Sequence, residues 1–212
     1  FRSPEKKIDT LIVNGAECEP YLTADHRLML EHPQDVLTGL QILMKQMGVD
    51  RGYIGIEDNK RDAYEIMNIA AQEMESIRIL SMKTKYPQGA EKQLIDAATG
   101  RQVPSGGLPM DVGCVVVNVG TAYAITQAVT KGEPLYRRVV TVTGSIVKDP
   151  QNLLVRIGTP VNALLEQCGG LSEPAVKALL GGPMMGVAQH TLDVPVIKGT
   201  SGVLFLSEKE AA

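Results

Sequence analysis

Tryptophan is absent and phenylalanine occurs twice in 212 residues, so aromatic residues make up only 4% of the chain. Such a chain has too few rings to stack successive nucleic-acid bases. Cysteine occurs three times, with no C-x-x-C spacing. That leaves a disulfide framework, a zinc site and an iron–sulfur site without support inside these residues. Cys114 sits in an apolar run and reads as core, Cys18 lies between two glutamates and reads as accessible, and a reducing cytoplasmic setting is the default. No apolar run approaches the roughly 20 residues that span a bilayer; Val115-Val116-Val117 is typical of the longest. No leader of signal-peptide type is expected. Lysine and arginine are scattered and the net charge is -3, so no basic stripe points to nucleic acid or an anionic lipid surface. The motifs G-x-G-x-x-G, G-x-x-x-x-G-K-[ST] and G-x-S-x-G are all missing. The three histidines, His26, His32 and His190, have no metal-ligand spacing, and His26 and His32 read as surface residues.

What the chain does have is apolar residue enough for a core, at 44% hydrophobic against 21% charged. Residues 8–13 are a β-branched apolar run and predict a buried strand. Asn14-Gly15 breaks it, and a polar stretch runs on through Asp25. From Pro33, Val36, Leu40, Leu43 and Met47 recur at helical spacing, and Gly48 supplies a stop. Strands at 53–56 and 77–80 flank a helix at 62–74. A glycine- and proline-rich excursion over 83–109 holds one short helix at 91–98, and such excursions inside compact domains are functional or flexible. A strand at 114–117 and a helix at 121–129 follow, closed by Lys131-Gly132-Glu133-Pro134. Beyond Pro134 come strands at 138–143, 153–157, 176–180 and 203–206, a helix at 161–167 and several glycine turns. Met184 and Met185 read as fillers of a core gap, and residues 207–212 as a fraying end. The pattern predicts an α/β fold: a Rossmann-like domain with a mostly parallel sheet over 1–133, a small α+β module over 134–190, and a return strand and tail over 191–212.

In an open α/β sheet, ligands bind beyond the carboxyl ends of the strands. Three connections fall there, at residues 14–20, 84–91 and 118–121. Asn14-Gly15-Ala16-Glu17-Cys18-Glu19-Pro20 brings one amide and two carboxylates to a tight turn. The amide can pair with the edge of a flavin or nucleotide ring, and a carboxylate can accept from ribose hydroxyls or a carboxamide; equally, the glutamates can simply be solvated. Asn118-Val119-Gly120-Thr121 opens a helix directly after an apolar strand, which makes either an anion site or a plain N-cap.

At these residues the sequence resembles the RnfC family of Rnf electron transport complexes. The resemblance is carried by Ile8-Asp9-Thr10-Leu11-Ile12-Val13-Asn14-Gly15-Ala16-Glu17-Cys18-Glu19-Pro20-Tyr21, Gly55-Ile56-Glu57-Asp58-Asn59-Lys60 and Thr84-Lys85-Tyr86-Pro87-Gln88-Gly89. Gln102-Val103-Pro104-Ser105-Gly106-Gly107, Asn118-Val119-Gly120-Thr121-Ala122 and Gly181-Gly182-Pro183-Met184-Met185-Gly186 continue it in order. It covers essentially the whole chain.

The family is related to the NADH-binding flavoprotein subunit of respiratory complex I. The resemblance implies that residues 1–133 are an FMN- and NADH-binding domain and that 134–190 are an SLBB domain, a β-grasp fold. It implies non-covalent FMN near Asn14, Glu17, Asn118 and Thr121, and NADH near Glu19, Gly89 and Glu91. The complex I relative has an acidic residue where this chain has Ala16, and a second carboxylate where it has Ala90. The family's glycine-rich FMN loop would precede Phe1, and the cysteines of two [4Fe–4S] clusters would follow Ala212. A fragment is therefore expected that folds but holds FMN weakly or not at all. In the full-length protein, electrons would pass between NAD(H) and the [4Fe–4S] clusters through FMN, with ferredoxin or another iron–sulfur carrier as partner. The implied place is the cytoplasmic face of the bacterial membrane, held by other membrane subunits of the Rnf complex that translocate ions. Direct membrane insertion and nucleic-acid binding are not implied. Two alternatives are a related flavoprotein reductase of the cobalamin-reductase type and a non-catalytic docking module.

Overall fold

The computed structural model describes residues 6–211. The segments expected before Phe1 and after Ala212 lie outside them. The chain divides into two units, Phe1–Cys18 with Leu28–Pro134, and Glu19–Arg27 with Leu135–Ala212. The sequence pattern shows the junction near Pro134 but carries no sign of the shorter transferred segment.

In the first unit, β1 (Thr10–Gly15), β2 (Arg51–Glu57), β3 (Ile77–Met82) and β4 (Cys114–Asn118) form one sheet in the order β3-β2-β1-β4. Every pairing in it is parallel. Helix α1 (Ala24–Glu31) begins in the Glu19–Arg27 segment and continues into this unit from Leu28, and α2 (Pro33–Met47), α3 (Arg61–Ala71), α4 (Glu91–Thr99) and α5 (Val119–Lys131) lie wholly within it. The strand β1 starts at Thr10 rather than at Ile8, because the N–H groups of Asp9 and Thr10 both turn to the Gly113 carbonyl, at 3.0 and 3.2 Å. The stop at Gly48 is left-handed, and its N–H donates to the Lys45 and Met44 carbonyls. Helix α1 occupies a stretch that begins within residues read as polar, and buries Leu28 and Met29.

Alternation along each strand sends successive side chains to opposite faces. Ile12, Met82, Leu94, Ile95 and Cys114 form one buried cluster, with Tyr53 packed against it; this is the face that α4 covers. The residue before Tyr53, Gly52, points the other way, beneath Leu40 and Met44 of α2. Helices α2 and α5 touch at Gly39, where a Cβ would meet the Ala122 carbonyl oxygen at 1.9 Å.

In the second unit, β5 (Arg137–Thr143), β6 (Gln151–Arg156), β7 (Lys177–Leu180), β8 (Val187–Gln189) and β9 (Gly202–Leu206) form a sheet in the order β6-β5-β9-β7-β8. The return strand β9 sits centrally, parallel to β5 and antiparallel to β7. Helix α6 (Val161–Gln167) buries Val161 and Leu164 against Val140, Val142, Val155, Val203 and Phe205. The opposite face carries Leu179, Leu204 and Leu206. The Glu19–Arg27 segment belongs here because Thr23 is bonded to β5 and β6: its N–H donates to Thr141 Oγ1 at 3.1 Å and its hydroxyl to Asn152 Oδ1 at 3.2 Å. Leu22 lies directly over Gly202.

Two expectations are corrected. Residues read as a fraying end form α7 (Glu208–Ala211), because the Ser207 N–H and hydroxyl both donate to Glu210, at 3.1 and 3.0 Å, and Ser145 Oγ adds a third bond at 2.6 Å. Met184 and Met185 fill no core gap: they stand 55% and 77% exposed on the turn between β7 and β8. Glycines at both ends of that turn let the chain reverse in so few residues that its middle projects from the sheet.

Candidate functional site

The chain builds β1, β2 and β3 outward in one direction, then returns to place β4 on the other side of β1. The strand order therefore reverses at β1, and this switch point is where open α/β sheets hold ligands. Asn14 and Asn118 are register partners at that point.

Asn14 is half-buried, and each end of its side-chain amide makes one hydrogen bond. Its Nδ2 donates to the Gly89 carbonyl at 2.8 Å, and its Oδ1 accepts from the Ala16 N–H at 3.0 Å. One amide thus closes its own turn and fastens the β3–α4 connection to it. The approach is close enough that a Cβ on Gly89 would lie 2.3 Å from the Ala16 carbonyl oxygen. Glu91 is exposed and is the first residue of α4, two positions beyond Gly89. At the end of β4, Asn118 caps α5 by accepting from the Gly120 N–H at 2.7 Å. Asn118 and Thr121 are both exposed. The positive end of the α5 dipole therefore opens at the switch point beside accessible polar side chains.

Asn14, Glu17, Gly89, Glu91, Asn118 and Thr121 all lie at the strand ends, connections or first helical turns of this one edge of the parallel sheet. Glu19 belongs to the second unit. There its Oε2 accepts from the Met184 N–H at 3.1 Å, and its side chain packs on Gly182, where a Cβ would strike the carboxylate. Its Oε1 is buried without a hydrogen bond. The His32 ring lies tilted against that of Tyr123, 5.1 Å between centroids, and 3.8 Å from Asp35, in keeping with a surface role.

Sequence reasoning assigned no role to a group at the same edge. Glu57 and Lys60, at the end of β2, are both buried and lie 3.4 Å apart. They fall in a motif that carries the family resemblance, and nothing local in the sequence marks them as buried. Next to them, the Thr84 hydroxyl and N–H donate to Asp58 at 2.5 and 3.0 Å and hold its carboxyl below the ordinary range.

Among the described residues no helix is long and apolar enough to cross a membrane. Residues 1–127 match the Nuo51 FMN-binding domain and residues 139–188 the SLBB domain. One subunit of the Na(+)-translocating ferredoxin:NAD(+) oxidoreductase complex of Acetobacterium woodii is 53% identical over 208 residues, covering 98% of this chain and 47% of that protein. The corresponding subunit of the proton-translocating ferredoxin:NAD(+) oxidoreductase complex of Clostridium ljungdahlii is 54% identical over 207 residues, covering 98% and 45%. That of the ion-translocating oxidoreductase complex of Rhodobacter capsulatus is 45% identical over 204 residues, covering 96% and 39%. The chain thus spans about half the length of these relatives or less, and their names bear out the resemblance to RnfC. They give no support to the cobalamin-reductase alternative. A chain of an NAD+-reducing [NiFe]-hydrogenase shares the fold, with a TM-score of 0.77 in the air-oxidized state and 0.74 in the H2-reduced state. Identity there is 18% and 17%, over 95% of this chain and 41% of the other. A parallel sheet with its polar switch point, followed by a second mixed sheet, and a family match over more than half the sequence agree: the chain belongs to the Nuo51 FMN-binding domain family, with an SLBB domain after it.

Proposed function

We propose that this chain is the FMN- and NAD(H)-binding part of a subunit that passes electrons between a nicotinamide nucleotide and iron–sulfur carriers. The observation that carries the reading is the register pairing of Asn14 with Asn118 at the switch point, where the N-terminus of the 13-residue helix α5 opens. FMN fits that arrangement chemically: its phosphate is an anion suited to a helix N-terminus with exposed Asn118 and Thr121, and its ring edge offers donors and acceptors suited to the amide of Asn14. When bound, FMN accepts a hydride and releases single electrons.

The chain's own residues bind and orient. Thr121 and Asn118 hold the phosphate or ribityl end. Asn14 and Glu17 set the ring edge. Gly89 leaves the β3–α4 connection free of a side chain, and Glu91 accepts from nucleotide hydroxyls. Glu19, which lies in the second unit, is kept as a nucleotide contact on the family resemblance alone. In the full-length subunit the electrons pass on to [4Fe–4S] clusters and exchange with ferredoxin, and partner subunits hold the protein at the cytoplasmic face of the membrane and translocate ions. The names of the relatives, with their ferredoxin, NAD(+) and ion translocation, support the redox and ion-coupled part of this reading.

The test uses the full-length protein. It should carry flavin absorbance and reduce an artificial dye with NADH. Glu91→Gln and Glu19→Gln should each weaken NADH binding while leaving flavin content near wild type. Wild-type protein with neither flavin nor NADH-dependent dye reduction would favour the docking-module reading instead.

A further inference from the structure

We infer that the buried Glu57–Lys60 pair fixes the two connections that face the nucleotide, and that Lys60 is thereby a positioning residue for NADH. The inference rests on the redox reading above and adds residues to it.

Both side chains are out of water, at 2% exposure for Glu57 and 9% for Lys60. A buried ion pair adds little net stability, because the desolvation of two charges offsets their attraction. What this pair does is visible in its other partners. Lys60 Nζ donates to the Glu17 carbonyl at 2.8 Å and to Glu57 Oε2 at 3.4 Å. Glu57 Oε1 accepts from the Lys85 N–H at 3.4 Å. Glu17 lies on the connection after β1 and Lys85 on the connection after β3. Strand β2, which ends at Glu57, runs between those two strands, so one ion pair at its tip reaches both neighbours. Asn14 ties the same two connections together at Gly89. Two separate fastenings fix the connections in orientation as well as in distance. An oriented binding edge costs a ligand less ordering entropy than a mobile one.

The experiment compares wild type, K60M and E57Q/K60M in the full-length protein. K60M strands a buried carboxylate and can fail to fold. The double variant removes both charges and with them that penalty, so it keeps the question open to measurement. In whichever variant carries flavin, KM for NADH should rise about tenfold while kcat stays within about twofold. Amide hydrogen exchange should show lost protection at residues 16–18 and 85–89, with the β1 and β2 amides unchanged. An unchanged KM in a flavin-loaded variant, or unchanged exchange in those segments, overturns the inference. Lost protection in a protein whose wild type shows no NADH-dependent reduction overturns the redox reading and leaves the fastening in place.

Discussion

Asn14 and Asn118 stand opposite one another at the carboxyl ends of β1 and β4, 104 positions apart in the chain and adjacent in the sheet. Each amide oxygen accepts from a backbone N–H two residues further on, Ala16 at 3.0 Å and Gly120 at 2.7 Å. The same local device, repeated on neighbouring strands, starts two connections at the one carboxyl edge of the sheet.

Replacing Asn14 should show how far the first of these turns carries the site. Asn14→Ala removes both of its bonds and leaves the Gly89 carbonyl and Ala16 N–H to find other partners, at a cost of about 1–2 kcal/mol. Urea denaturation should report that loss, and the full-length variant should retain less flavin than wild type. Asn14→Asp keeps the acceptor for Ala16 but sets a carboxylate against the Gly89 carbonyl, so it should recover less flavin than its shape alone suggests.

Helix packing gives a sharper stability test. A Cβ on Gly39 has only the Ala122 backbone to push against, and backbone does not yield cheaply. Gly39→Ala should destabilise by about 2–4 kcal/mol. Gly199 has nothing within 4 Å of its would-be Cβ, and Gly199→Ala should stay within about 0.5 kcal/mol of wild type. Equal denaturation midpoints for the two variants would refute the packing argument.

These cases mark what the sequence lets one read. The four parallel strands and helices α2 to α5 were legible because apolar runs, 3.6-residue spacing and glycine stops are local signals. So were the three connections at the carboxyl edge, since strand order within such a sheet makes them converge whatever their sequence. The contact at Gly39 was not legible, because close approach of two helices depends on residues more than 80 positions apart. The burial of Glu57 and Lys60 was hidden for a similar reason: only tertiary structure supplies the Glu17 carbonyl and Lys85 N–H that satisfy them. The exposure of Met184 and Met185 ran against their hydrophobicity, because the glycine turn around them decides which way they point.

Acid should weaken the protein partly through Asp9. The Arg101 guanidinium donates to it at 2.7 Å and holds its carboxyl below the ordinary range, with the Thr10 hydroxyl assisting. A carboxyl depressed in the folded state stabilises fully above its unfolded value, about 3.9, and that stabilisation is lost as pH falls through the folded value. Asp9→Asn should therefore lower Tm at pH 7 and make progressively less difference below pH 4. Both partners are more than one-third exposed, so the effect is that of a surface pair, about 0–1 kcal/mol. A Tm gap that widens on acidification would contradict the assignment.

The methionines offer a chemical check on the second unit. Met185 and Met184 are exposed, whereas Met29 and Met67 are wholly buried. Dilute peroxide should convert Met185 and Met184 to sulfoxides well before Met29 and Met67, as read by peptide mass spectrometry. Early oxidation of Met67 ahead of Met185 would contradict the placement of that turn.

The nine-residue loan of Glu19–Arg27 to the second unit has a consequence for inheritance and engineering. The polypeptide crosses between units after residues 18, 27 and 134, so neither unit is a cassette that a single recombination event can lift out whole. Cutting at Pro134 would strip Leu22 from above Gly202 and Thr23 from its place beside Thr141 and Asn152. Grafts that exchange one unit for a homologue's must carry the short segment along with the long one.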